Sequence, residues 1–564
     1  MNFEQIIYKR PNIERFEEQM DEYLKEFILA KSFNEQAKII ESINVLRNEL
    51  LTGITVADTR YMININDEEY KEEQEHIQKI WMGYQGIVSK YYKVLIESKY
   101  KADLENVYGK KLFNIAAVAN KTFSTEIIED LSEEQKLENE YIKVISSARI
   151  SFNNQELNLD EIEAYLSFKD RDMRKSASEE EFKFMKSRET DLDNIFDSLV
   201  RVRTQIAKKL GYKNFIELGY ARLERTDYNE DIIKQFRENI VKYIVPISMN
   251  LLERQRKRLK LDSLKHYDEP FKYNCENVIP KGNAEWIKEK SGKILQELSK
   301  DAKSLFDYLD SNKYMDLITN KNKASGAYTT FLSSPRIPYI FANLNGTQND
   351  IRILMHEFGH AFQMYKGIRN DIPEYLIPTK EAAEIHSMTM EYLTLPWMDI
   401  IFGEDADKCR FAFLEEAILA MPRRACVDEF QHIVYLNPNM IIEERKKMWR
   451  DLEKKYFPLK DYDSNSYLEE GNAWHLQIQI FRRPFYSINY NLAQLCAIQL
   501  FNRAEEDRTK AWEEYVQLCE LGGSKSFVEL IESCNIISPF EEASFINACK
   551  VVEKHVNKID DLNF

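Results

Sequence analysis

The sequence predicts a mainly α-helical protein with one small β-element set beside a helix that carries a metal-binding motif. Three observations lead there. Glycine (16) and proline (14) are scarce over 564 residues, which limits tight turns and strand punctuation. Runs of Glu, Lys, Leu, Ile and Ala, all strong helix formers, fill most of the chain. The texture changes at residues 321–350, "KNKASGAYTTFLSSPRIPYIFANLNGTQND", where Pro, Ser, Asn and Gly separate two strand-like runs.

The elements follow from local pattern. In "FNEQAKIIESINVLRNELLT", Ala37, Ile40, Ile43 and Leu46 recur every three residues, an amphipathic helix. "LSEEQKLENEYIKVISSARI" reads as a helix entered through a capping box at Ser132-Glu133-Glu134-Gln135. Phe152–Leu157 reads as a small hairpin, followed by a helix entered near Asn158. "EEEFKFMKSRETDLDNIFDSLVRVRTQIAKKLG" reads as one long helix stopped at Gly211, and "RQRKRLK" (254–260) as a solvated helix face. Around Thr330-Phe331 and Tyr339-Ile340-Phe341 two or more edge strands are expected. Their free edge suits an extended peptide, and a plain connecting loop is the competing reading. Two helices come next, one capped at Asn349 or Asp350 and stopped at Gly367, the other starting near Thr379. No fixed-period repeat or low-complexity linker is evident, and the length suggests roughly two to four domains.

Lys and Arg number 78 against 94 Asp and Glu, a formal charge of −16. That argues against nucleic-acid binding, which needs a basic surface. The seven cysteines, Cys275, Cys409, Cys426, Cys496, Cys519, Cys534 and Cys549, are odd in number and show no C-x-x-C pair, which predicts reduced, buried thiols. The first twenty residues carry charges throughout, unlike a signal peptide, and no uninterrupted apolar run approaches membrane length. The expectation is a cytoplasmic protein with no nucleic-acid or membrane partner; the oligomeric state is left open.

His356-Glu357-Phe358-Gly359-His360 is an H-E-x-x-H motif. On a helix, His356 and His360 stand one turn apart on one face and can offer two nitrogens to one Zn²⁺. Glu357, offset around the helix, can reach a water at the metal and take its proton. A third protein ligand is required, and Glu381, Glu384 and Glu391 on the next helix are available. Glu384 and Glu391 lie two turns apart on one face, so one suits the metal and the other a ligand histidine. His386 points away from that face, as a hydrogen-bonded structural residue or a substrate-facing one.

"HEFGHAFQ", followed by "PEYLIPTKEAAEIHSMTMEYLTLPWMDIIFGEDADK", resembles the M3 family of zinc metallopeptidases, in particular its oligoendopeptidase F-like branch. "IPYIFANLNGTQNDIRILMHEFGHAF", "LGYKNFIELGYARLERTDY", "VDEFQHIVYLNP" and "PFYSINYNLAQLCAIQLF" are similar too. The resemblance runs from about residue 165 to the C-terminus and is weaker before it. It implies a two-lobed helical zincin with a deep channel that admits short peptides, with residues 1–165 as an N-terminal helical lobe region and 166–564 as the catalytic region. It implies one Zn²⁺ held by His356, His360 and Glu384, with Glu357 as general base and Glu391 supporting a ligand histidine. Tyr486 and Tyr490 would stabilise the oxyanion.

One segment departs from the family. Where relatives read W-x-x-x-L-H-I-F-x-x-P-F-Y-Y-I-D-Y, this chain has "WHLQIQIFRRPFYSINY". Gln479 stands at the family's histidine, Ser487 at the second tyrosine and Asn489 at the aspartate. The family's G-G-F-C-T is close to Ser325-Gly326-Ala327-Tyr328-Thr329. His475, four residues before Gln479, is either a stand-in or a surface histidine beside Trp474. The expected function is a zinc-dependent metalloendopeptidase cleaving short oligopeptides. The alternative is a degenerate relative that binds zinc and peptides with little turnover.

Overall fold

The computed structural model describes residues 2–274, 277–369 and 372–564; Cys275 falls outside that set. Helix dominates, as expected. The N-terminal helices Ile13–Leu29, Phe33–Ile63, Glu68–Ile96, Lys101–Tyr108 and Lys110–Thr122 open on side-chain caps where the chain supplies them. Asn12 accepts the Arg15 N–H at 2.7 Å, and Asp67 accepts that of Tyr70 at 3.2 Å. Their apolar stripes build a core of their own from Phe16, Met20, Ile40, Ile43, Tyr91 and Leu95, with Ala37 and Leu46 at its margin. That core closes over Ile372 and Tyr375 from far along the chain. The seam is polar as well. Arg47 meets Glu374 at 2.7 Å, both side chains buried, and the Tyr92 hydroxyl donates to Glu374 at 2.6 Å. The Tyr375 hydroxyl accepts from the Leu112 N–H and donates to the Tyr108 carbonyl.

The middle of the chain corrects several local expectations. Ser132 does not cap a helix but lies inside Ile128–Ser146, which is entered from a turn where Ser124 accepts the Glu126 N–H. Gln135, which would complete that box, lies inside the same helix, and its neighbour Glu134 is held in the interior by Arg203 (2.7 Å) and Arg222 (2.9 Å). The hairpin forms as β1 (Ile150–Phe152) and β2 (Gln155–Leu157), with Asn153 and Asn154 at φ 49° and 60° in its turn. Asn158 then caps through a reciprocal box with Glu161. The long helix is two helices, Arg171–Ser187 and Glu189–Lys209, broken at Arg188, and Gly211 (φ 79°) ends the second. The second segment delivers Glu189 and Asp193 to Lys446. The basic run is not a solvated face. Arg258 is only 1% exposed and pairs with Asp561 and Glu415, while Arg254 also holds Asp561. These partners lie far away in sequence, which a reading of helix periodicity does not reach.

The β-element has three strands, β3 (Met315–Ile318), β4 (Tyr328–Leu332) and β5 (Ile337–Leu344), in the order β3-β5-β4. β5 runs parallel to β3 and antiparallel to β4, with Thr329 opposite Ile340. Its nearly unbroken burial fits a central strand covered on both faces. β4 lies on an edge.

β5 leads into the histidine helix, Asn349–Lys366. Its N-cap residue is Gln348. Asp350 instead accepts the N–H groups of Asn345 and Gly346 and so fixes the preceding turn. Gly367 follows its last residue, as predicted. The glutamate helix, Lys380–Thr394, starts after Thr379, and the tyrosine helix, Ser487–Glu506, packs along it. The histidine and glutamate helices touch at Gly359, where a Cβ would lie 2.7 Å from the Ser387 Cα and 2.8 Å from the His386 carbonyl oxygen. Only a residue without a side chain permits this approach. Among the described residues no helix is long and apolar enough to cross a membrane, and the six described cysteines are unbridged.

Candidate metal centre

The histidine helix places the His356 and His360 rings 4.9 Å apart, edge to face. The close approach at Gly359 brings Glu384 up to them. Its Oε2 lies 3.4 Å from the His356 Nε2 and 3.8 Å from the His360 Nε2. The three donor atoms lie within 4.8 Å of one another. Ligand atoms about 2.0–2.1 Å from a tetrahedral Zn²⁺ are themselves about 3.3 Å apart, so the cluster fits with little adjustment. The histidine side chains keep 23% and 17% of their surface exposed, which leaves a side open to substrate. Burial pulls the His356 imidazole down, but Glu384 and Glu391 hold it well above its ordinary value. Burial raises Glu384, and the hydrogen bonds from His356 and Tyr486 outweigh it and hold the carboxyl at about 2.

Glu391, two turns along the glutamate helix, accepts the His356 Nδ1–H at 2.6 Å with one oxygen and the Arg352 Nε–H at 2.8 Å with the other. That bond directs the His356 Nε2 toward Glu384. Replacing Glu391 by Gln is expected to weaken zinc binding about 10–100-fold, measured by competition with a chromophoric chelator. Unchanged affinity would remove Glu391 from the positioning role.

Glu357 is nearly buried, and the Thr329 hydroxyl of β4 donates to its Oε2 at 2.8 Å. Burial raises its carboxyl to about 6, while His356 and Thr329 act in the opposite direction. Across the site, the Tyr486 hydroxyl donates to the Glu384 Oε1 at 2.9 Å, and the Tyr490 ring lies 5.5 Å from that of Tyr486. Burial, with Glu384 adding to it, keeps both phenols protonated far above neutral pH. A cleft of about 500 Å³ reaches Tyr486 from Arg222 and Glu138, and a pocket of about 390 Å³ lies against Arg352, Glu391 and Glu416.

The departing segment sits mostly behind this front. Asn489 is fully buried and accepts the Arg225 Nη2–H at 2.6 Å; Ser487 is buried in the first turn of the tyrosine helix. Gln479 is half-buried on the short helix Ile478–Arg482. His475 is neither a surface residue nor a stand-in. It is completely buried, its Nε2–H donating to the Asp193 carboxylate at 3.0 Å and its Nδ1 meeting the Tyr467 hydroxyl at 2.7 Å. His386 is structural, its ring nitrogens facing the carbonyls of Ala382 and Leu518. Two residues that local pattern missed are Thr329 and Arg352. Arg352 stands one turn before His356, and that spacing was its only signal.

Comparison with known proteins agrees with this geometry. The profile of the Peptidase M3 N-terminal domain matches residues 3–123, and that of Peptidase family M3 matches 164–291 and 296–549. The chain belongs to peptidase family M3. Within it, an oligoendopeptidase F homolog of Borreliella burgdorferi is 26% identical over 64% of this chain and 61% of that protein. Oligopeptidase PepF of Bacillus subtilis is 22% identical over 71% of this chain and 59% of that protein. The chain thus spans about three fifths of these curated M3 relatives. A solved structure of Pz peptidase A with an inhibitor superposes with a TM-score of 0.94 at 45% identity, over 99% of this chain and 100% of that one.

Proposed function

We propose that the protein is a zinc-dependent endopeptidase acting on short oligopeptides. The observation that carries this reading is the His356, His360 and Glu384 donor set with the Glu357 carboxylate beside it, in a chain of the M3 family. Zinc, when bound, supplies a Lewis acid for the scissile carbonyl and the attacking water. The chain's own residues do the rest. Glu357 takes a proton from the water and delivers it to the leaving amine. Thr329 holds the carboxylate in place between those two transfers. The Tyr490 phenol donates to the oxygen that becomes negative, joined by Tyr486 when its hydroxyl turns from Glu384. The edge strand β4 pairs with the main chain of an extended peptide. In this reading residues 1–165 form one wall of a channel, 166–564 carry the machinery, and the protein works in the cytoplasm. The burial of Ser487 and Asn489 supports turnover, since these departures do not remove a ligand or the base.

The test is zinc content together with cleavage of a quenched fluorescent peptide library. The expected result is about one zinc per chain, with cleavage abolished by a chelator and restored by Zn²⁺. Zinc without cleavage would mark a binding relative, and absence of zinc would overturn the proposal.

A further inference from the structure

The cleft of about 500 Å³ that reaches Tyr486 is basic, against the sign of the whole chain, whose formal charge is −16. Arg222, Lys380, Arg482 and Arg483 line it, facing two carboxylates, Glu134 and Glu138. Both carboxylates are already committed to other arginines. Glu134 is held by Arg203 at 2.7 Å and by Arg222 at 2.9 Å, and Glu138 by Arg203 at 3.0 Å. That leaves Lys380, Arg482 and Arg483, all three exposed. None of them is in an ion pair among the described residues, and Arg482 acts on Glu138 only from a distance. A concave wall with an excess of one sign focuses its field and draws the opposite charge into the cleft.

The cleft also borders the metal centre. The Arg483 guanidinium carbon lies 5.7 Å from the centre of the Tyr486 ring, and the Tyr486 hydroxyl donates to Glu384 at 2.9 Å. Burial raises the Tyr486 and Tyr490 phenols, and Arg483 is among the charges that oppose it at both. Lys380 is the first residue of the glutamate helix, one turn before Glu384, and Arg482 is the last of the short helix Ile478–Arg482. The anion that a peptide brings is a carboxylate, and a guanidinium fork matches its two oxygens.

We propose that this cleft is a carboxylate-binding subsite, in which Arg483, Arg482 and Lys380 hold an acidic group of the peptide within about three residues of the scissile bond, at roughly 3.3–3.6 Å of extended chain per residue. The inference rests on the peptidase reading above. The carboxylate has two sources, the free C-terminus of a short peptide or an Asp or Glu side chain. The first makes the protein measure distance from the C-terminus; the second makes it read sequence.

The experiment uses one peptide that the protein cuts at a single bond and that ends three residues beyond it. The peptide is made as the free acid and as the amide, and the amide also with one Glu placed in turn at each of the three positions on either side of the bond. Wild-type kcat/KM, followed by chromatography, is expected to be about tenfold or more higher for the acid, or for one Glu position, than for the plain amide. The acid arm identifies the C-terminus and the Glu arm the side chain. The ratio is expected to shrink as salt is raised, because exposed charges are screened. In the triple variant Lys380→Gln, Arg482→Gln, Arg483→Gln it is expected to fall to near unity. Lys550→Gln, which removes an exposed charge from the helix Glu542–Val556, is expected to keep it. The inference is overturned if no carboxylate-bearing form is cut faster than the plain amide, if the preference survives the triple variant, or if it vanishes in Lys550→Gln. Anisotropy with N-terminally labelled forms on zinc-loaded Glu357→Gln protein separates the two readings. Carboxylate-dependent binding without wild-type cleavage would sink the peptidase reading and keep the subsite. Cleavage at equal rates on all forms would do the reverse.

Discussion

Glu357→Gln is expected to lower kcat/KM on short peptides by about 10²–10⁴-fold while zinc content and melting temperature stay close to wild type. The substitution keeps the size of the side chain and an oxygen for the Thr329 hydroxyl, which donates to the carboxylate at 2.8 Å. It removes the group that accepts and returns a proton. Steady-state cleavage with parallel metal analysis is the measurement, and a variant retaining a tenth of wild-type activity would mean that another group moves the proton. The wild type carries a pH signature of the same residue. Glu357 must be ionised to act as a base, so kcat/KM rises with pH through its titration. Burial places that titration at about 6 in the metal-free chain. A bound cation favours the ionised form, so the acidic limb lies at or below about pH 6. In Glu357→Gln that limb disappears.

Gly359→Ala should be the most damaging single-methyl change at the centre. Alanine is favoured over glycine within a helix by about 1 kcal/mol, so the sign depends on space. Here the added carbon meets backbone atoms of the glutamate helix at 2.7 and 2.8 Å, and neither can swing aside. The two helices must part, which costs about 1–3 kcal/mol in an overpacked interior. They carry the imidazoles and the Glu384 carboxylate respectively, so parting them opens the donor cluster. Zinc affinity is expected to fall at least tenfold, read by chelator competition, with the melting temperature lowered even in the metal-free protein. Gly86→Ala is the control. Its added carbon would sit 3.7 Å from the Phe123 ring, an ordinary contact, and the variant is expected to be neutral or slightly stabilised. If Gly359→Ala matched this control, helix contact would not govern the site.

What could be read from sequence was local in origin. The histidine helix, its stop at Gly367, the start after Thr379 and the Asn158 cap are each written within a few residues. The M3 pattern supplied Glu384 from among three candidates, and the fold sets it against both histidines. The misread features involve distant partners. Arg258 looked solvated because Asp561 lies some three hundred residues on; Ser132-Glu133-Glu134-Gln135 looked like a helix start because nothing beside it shows Glu134 as the interior partner of Arg203 and Arg222. His475 looked exposed because nothing beside it reveals Asp193. β3 was overlooked since its parallel pairing with β5 arises only in the folded sheet. Thr329 likewise meets Glu357 only across the contact between strand and helix.

The seam at Glu374 bears on how freely the protein's parts can be exchanged. Glu374 and Tyr375 belong to the stretch joining the histidine helix to the glutamate helix, yet their partners, Arg47, Tyr92 and Leu112, are all in the N-terminal helices. Grafting a different N-terminal segment onto residues 166–564 would therefore strand a carboxylate and bare two apolar side chains between the ligand-bearing helices. Chimaeras of this chain must keep Arg47 and Tyr92 together with Glu374, or redesign all three at once.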